Sequence, residues 1–139
     1  MTGRPPHEVL EHLAGVLVEA APPGWTALRL TALSVGSTST ITVVADRPPR
    51  PALVAELPPD LPLLTVELRD TTAIPDRGAW YSCRVEITRD GTVSATYDYD
   101  SQPPITPPPV PETYAEDLRR HPRTLERQPA WLRELLHRA

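Results

Sequence analysis

The sequence predicts an α+β fold: an antiparallel β-sheet of four or more strands, with an N-terminal helix and two short C-terminal helices packed against it. Three observations predict it. Residues 80–100 alternate apolar and polar side chains on both sides of Asp90-Gly91, the mark of a hairpin with one buried face. Residues 7–21 instead place Leu10, Leu13, Ala14, Leu17, Val18 and Ala21 at helical spacing. Beyond the hairpin, a proline-dense loop at 101–111 leads to two segments with helix-start signals. At 139 residues this is one domain, spanning 1–139, with 19 prolines falling mostly between the periodic stretches.

Taken in order, residues 1–6 are expected to fray, and Pro22-Pro23-Gly24 ends the first helix. Residues 25–35 form a strand of imperfect alternation, which allows a bulge or an early end. After a polar turn at 36–39, the β-branched run 40–45 forms the next strand and pairs with its neighbour as a meander. A proline-containing loop at 46–51 precedes a short edge strand within 52–57. Residues 60–71 carry two signals. LTVEL alternates like a strand, whereas Asp60 as N-cap, Pro62 in the first turn and the Leu61, Leu64, Leu68 spacing favour helix; helix is the preferred reading. After the hairpin, Thr113 and Glu116 match a capping box opening a helix from 114 to 121, which Pro122 ends. Pro129 at N1 opens the last helix, with Trp131, Leu132, Leu135 and Leu136 on its apolar side.

The hairpin register follows from burial. A two-residue loop would set Ile87 opposite Ser94 and Cys83 opposite Asp98, apolar against polar on a buried face. A three-residue loop of Arg89, Asp90 and Gly91 pairs Ile87 with Val93, Val85 with Ala95, Cys83 with Tyr97 and Tyr81 with Tyr99. Gly91 then supplies the left-handed backbone. Cys83, Gly91, Tyr97, Pro122, Pro129 and Trp131 are the expected structural residues.

Little in the sequence points to catalysis. The single cysteine, Cys83, falls on the inner hairpin face with no histidine nearby, the place of a small core residue. His7, His12, His121 and His137 show no metal-ligand spacing. No phosphate-binding or dinucleotide loop is present. All 14 basic residues other than histidine are arginine, and the net charge of -4 weighs against nucleic-acid binding and toward a basic partner. Neither a membrane-spanning run nor a basic-then-apolar leader occurs, so a cytoplasmic protein without cofactor, metal or membrane contact is expected. Oligomeric state is not fixed by these features.

Glu86, Asp98 and Asp100 share the outward side of the hairpin. Such carboxylates serve as a solvated strand end, a recognition surface, or the acid/base or cation site of a small hydrolase. Charge placement favours recognition. Residues 91–118 hold five acids and no base, and six arginines with only two acids follow from 119 onward. By parity Trp80 faces outward beside Asp98 and Asp100, as an aromatic anchor would. Trp80, Glu86, Asp98, Tyr99, Asp100 and Glu112 are therefore the candidate partner-binding residues.

The segment GAWYSCRVEITRDGTVSATYDYD, followed later by YAEDLRRHPRTLERQPAWLREL, resembles the YezG-like immunity proteins of polymorphic toxin systems. In that family a Trp-bearing strand, a turn and a strand ending in Tyr-Asp precede an acidic-Leu pair, a Pro-Arg step and a Pro-x-Trp-Leu turn. The positions that match are Trp80, Gly91, Tyr99, Asp100, Asp117, Leu118, Pro122, Arg123, Pro129, Trp131 and Leu132. The likeness covers residues 78–136 and extends to the N-terminal half only in layout. It implies a non-enzymatic intracellular antitoxin that binds and occludes the toxin domain of a secreted toxin, commonly a nuclease. A generic protein-protein adaptor is the remaining alternative.

Overall fold

The computed structural model describes residues 3–139. Helix α1 (Pro6–Ala20) leads into strands β1 (Ala27–Val35), β2 (Thr38–Asp46) and the short β3 (Ala52–Leu53). Helix α2 (Leu61–Thr71) follows, then the hairpin of β4 (Ser82–Thr88) and β5 (Val93–Asp98), and finally α3 (Pro111–Arg120) and α4 (Ala130–His137). The strands form one antiparallel sheet in the order β3-β2-β1-β4-β5. The expected α+β architecture is therefore the observed one.

Register aligns the apolar residues of successive strands into rows. Leu30 lies between Val43 and Val85, and Leu28 between Ala45 and Ile87. These rows meet Val9, Leu13 and Leu17 of α1 and Leu61, Leu64 and Leu68 of α2, forming the larger core. Burial decides between the two readings of 61–71. Leu61, Leu64, Thr65, Leu68 and Arg69 are buried along one helical face, whereas Val66, which a strand would have turned inward with Leu64 and Leu68, is 40% exposed.

The hairpin closes as its pattern predicts. Thr88 N–H donates to Thr92 O at 3.0 Å and Gly91 N–H to Thr88 O at 2.9 Å, leaving Arg89, Asp90 and Gly91 as the loop. Gly91 has φ +94°, a conformation that costs a residue with a Cβ. The ladder sets Ile87 opposite Val93, Val85 opposite Ala95 and Cys83 opposite Tyr97. At the next step the expected pairing of Tyr81 with Tyr99 fails. Ser82 is the register partner of Asp98, yet the N–H that reaches Asp98 O, at 2.9 Å, comes from Tyr81. Two residues on one strand oppose one on the other, which is a bulge. It turns Tyr81 toward the opposite side of the sheet, into a second core with Val35, Ile105, Tyr114 and Leu132. Helices α3 and α4 close this smaller core.

Several boundaries differ from expectation. Pro6 already opens α1, and Arg4 donates to Glu67 at 2.7 and 2.9 Å, so the arm before the helix is held; Met1 and Thr2 lie outside the described residues. The Thr113–Glu116 capping box does not form. Helix α3 starts with Pro111 after Val110, so Thr113 is already helical and no side chain caps the end. Pro129 is the N-cap of α4, one position before the expected N1. Pro122 follows directly on the end of α3 at His121, as expected.

Cys83 is 1% exposed, and burial pushes its thiol pKa up to about 12. Thiolate is the reactive form, so in the folded protein Cys83 should resist a chromogenic disulfide reagent at pH 8 and react fully once denaturant unfolds the chain. Fast labelling under native conditions would contradict the burial.

Candidate functional site

Trp80, read from the sequence as an outward anchor, is fully buried. The bulge shifts parity by one residue, so Trp80 points to the same side as Cys83 and lies in the larger core. Its indole Nε1 donates to Thr72 Oγ1 at 2.8 Å, and its ring stacks on Tyr97 with centroids 6.1 Å apart. Its carbonyl accepts from Arg69 Nε at 2.7 Å.

That arginine is the centre of a buried network. Arg69 and Asp117 have side chains only 6% and 3% exposed, and the guanidinium grips the carboxylate with both terminal nitrogens, Nη2 to Oδ2 at 3.0 Å. Asp117 Oδ1 also accepts from Gly36 N–H at 2.9 Å. The contact needs a glycine, because φ at residue 36 is +55° and a Cβ there would lie 2.9 Å from Thr113 O. One ion pair thus joins α2, α3, the β1–β2 turn and the segment entering β4.

A second buried guanidinium, Arg123, performs a similar task beside it. Its Nη2 donates to Ala79 O at 3.2 Å and to Tyr99 O, while Nη1 reaches Asp100 Oδ1 at 3.3 Å and Arg127 O at 3.1 Å. Arg69 and Arg123 lie 5.8 and 4.8 Å from the Tyr81 ring centroid, and Tyr114 and Trp131 contact the same ring edge-on at 5.9 and 5.5 Å. Burial raises the Tyr81 phenol pKa well above its usual value, and its hydroxyl has no hydrogen-bond partner.

The other candidate residues divide between framework and surface. Tyr99 is half-buried; its hydroxyl donates to Thr72 O at 2.7 Å, and Arg77 lies 4.7 Å over its ring. Asp100 is exposed yet engaged, pairing with Arg123 and with Arg77 at 3.6 Å, while its carbonyl accepts from Trp131 Nε1 at 2.8 Å. Glu112 is exposed and pairs with Arg119 at 2.8 Å. Asp98 is exposed, and its Oδ1 accepts from the N–H groups of Ser101 and Asp100 at 3.0 and 3.1 Å. The Ser101 bond holds its carboxyl below the ordinary range.

Glu86 is exposed on the sheet face that neither α1 nor α2 covers. There it borders an open trough of about 590 Å³ that also includes Arg29, Thr31, Thr42, Arg84 and Thr96. Its register partner is Ser94, four residues before Asp98 on β5, so Glu86 and Asp98 stand about 13 Å apart at strand rise. At that spacing the two carboxylates do not meet on a single cation. Among the described residues no group of three or more His, Cys, Asp or Glu side chains could hold a metal ion. No helix among the described residues is long and apolar enough to cross a membrane.

The chain matches no protein-family model and no curated protein. Asp117 and Arg123 enter the charge count of their segments, but as individual positions they are singled out only through the resemblance. Arg69 carried almost no sequence signal. It continues the Leu61, Thr65 spacing of the buried face of α2, but a charged residue at the border of an apolar stripe ordinarily reaches solvent.

Two substitutions test the network. Trp80→Ala should cost about 3–5 kcal/mol in urea unfolding, the range for emptying a buried aromatic site; a near-neutral result would return Trp80 to the surface. Asp117→Ala should cost a further class of energy, about 3–5 kcal/mol, because it leaves the Arg69 charge buried and unpaired. Replacing both partners with apolar residues should recover much of that loss in the same measurement.

Proposed function

We propose that this chain is a non-enzymatic immunity protein that acts inside the cell, binding the toxin domain of a secreted polymorphic toxin and occluding it. The observation that carries the reading is where the residues of the YezG-like pattern fall. Trp80 and Asp117 both bond to Arg69; Tyr99 and Asp100 both bond to Arg123, and Trp131 closes on Asp100. These positions come from well-separated parts of the second half of the chain, yet they form one interlocked unit. A shared pattern most of whose long-range members meet in a common framework supports kinship of fold, and leaves the partner to be met by exposed residues.

Glu86 and Asp98 are the candidate acids whose charge no arginine on the protein neutralises by direct contact. Both are exposed on the side of the β4–β5 hairpin turned away from α1 and α2, and with the net charge of -4 they suit a basic toxin surface. Occlusion of this kind needs no catalytic group on the inhibitor.

The test is co-expression with a toxin-like domain encoded beside this chain's gene. Growth abolished by that domain should return, and the purified pair should form a stable complex by calorimetry. Glu86→Arg should weaken the complex by about tenfold or more. Asp98→Asn, which keeps the oxygen that caps the turn and removes the charge, should weaken it less. Growth rescue without complex formation would rule out occlusion, and full-strength binding by both variants would place the interface elsewhere.

A further inference from the structure

The two edges of the sheet are built differently. β3 is two residues long, follows Pro48, Pro49 and Pro51, and pairs with β2 only at Val44 and Ala45, so that edge is stepped rather than one continuous strand. β5 is six residues long and carries no proline. Alternation from the Thr88–Thr92 pair turns the backbone groups of Val93, Ala95 and Tyr97 away from β4. These outward groups make no hydrogen bond to any loop or turn. The side chains of the same three residues are only half-buried at the border of the larger core.

We propose that β5 pairs antiparallel with β5 of a second copy of this chain, about a two-fold axis at Ala95, joining two sheets into one. The strand is self-complementary in this register. Val93 falls opposite Tyr97 of the second copy and Ala95 opposite its equivalent, and each such pair can exchange both of its backbone bonds. The half-buried apolar row continues across the axis, and Ser94 meets Thr96 on the other face. The only charged residue of β5, Asp98, falls opposite Thr92, so no like charges face each other within the ladder. Asp100 lies beyond the strand and is already paired with Arg77 and Arg123. A toxin strand at this edge is the competing occupant, and it would leave the free chain monomeric.

The inference is independent of any toxin and is tested on the protein alone. In sedimentation velocity the mass should rise with concentration from 15.4 kDa to twice that value. Ala95→Pro removes only an outward N–H, a substitution that edge strands tolerate, and should hold the mass at the monomer value with the unfolding midpoint little changed. Should that variant fail to fold, amide exchange of the unmodified protein decides. Protection of Val93, Ala95 and Tyr97 should grow roughly tenfold or more with concentration while that of Ser94 and Thr96, bonded to β4, stays level. A constant monomer mass, dimerisation of the proline variant, or exchange independent of concentration would each overturn the proposal.

Discussion

The rest of the structure depends on how a charge is accommodated at Arg69. A guanidinium taken out of water is tolerated only when its donors are met and its charge is balanced. Here Nε is met by the Trp80 carbonyl and both terminal nitrogens by Asp117. The carboxylate in turn holds the backbone of Gly36. Since a buried pair adds little net stability over an apolar substitute, its consequence lies in geometry. It docks α3 at one position on α2 and the β1–β2 turn, although a proline-dense loop alone connects α3 to the sheet. Two hydrophobic cores, on different sides of the sheet, are thereby locked to each other by one contact.

The bulge at Tyr81 is the second constraint, and it distributes the aromatic residues. A regular strand would have put Tyr81 with Cys83 under the helices and Trp80 outside. One extra residue opposite Asp98 reverses both, sending Trp80 to α2 and Tyr81 to the pocket between α3 and α4. Each core receives one large ring, and each ring is met by a buried arginine. Large aromatic surface is consequently taken inside, and the open face of the sheet is left to threonine, serine, arginine and glutamate.

This division explains how much was legible in the sequence. Elements and register were readable where a single face is buried: the period of two in β4 and β5 selected the three-residue loop, and the helical spacing of Leu61, Leu64 and Leu68 outweighed the alternation of LTVEL. Trp80 was misplaced because parity carries across a strand only while the ladder is regular, and a bulge leaves no mark in residue types when both residues are aromatic. Arg69 was invisible for a related reason. Its partner lies 48 positions away, and local pattern holds no information about which distant carboxylate will arrive. Gly36 looked like an ordinary turn residue, because the crowding that requires it comes from Thr113.

Charge asymmetry along the chain also acquires a different meaning in three dimensions. An acidic stretch followed by an arginine-rich one suggests a surface with an acidic side to offer. Much of that charge instead meets its opposite within the fold: Arg119 with Glu112 along α3, and Arg120 with Asp70, Arg123 with Asp100 and Arg69 with Asp117 across it. The exposed pairs among them contribute little energy individually. Together they match the C-terminal helices to the α2 side of the protein, and they remove Asp100, Glu112 and Asp117 from the charge available to a partner. Of the candidate acids, Glu86 and Asp98 are left without an ion-pair partner, beside the equally unpaired Arg84, on a face with no large apolar anchor. A partner recognised there would be selected by charge and backbone shape more than by buried aromatic contact, which favours fast encounter over slow release.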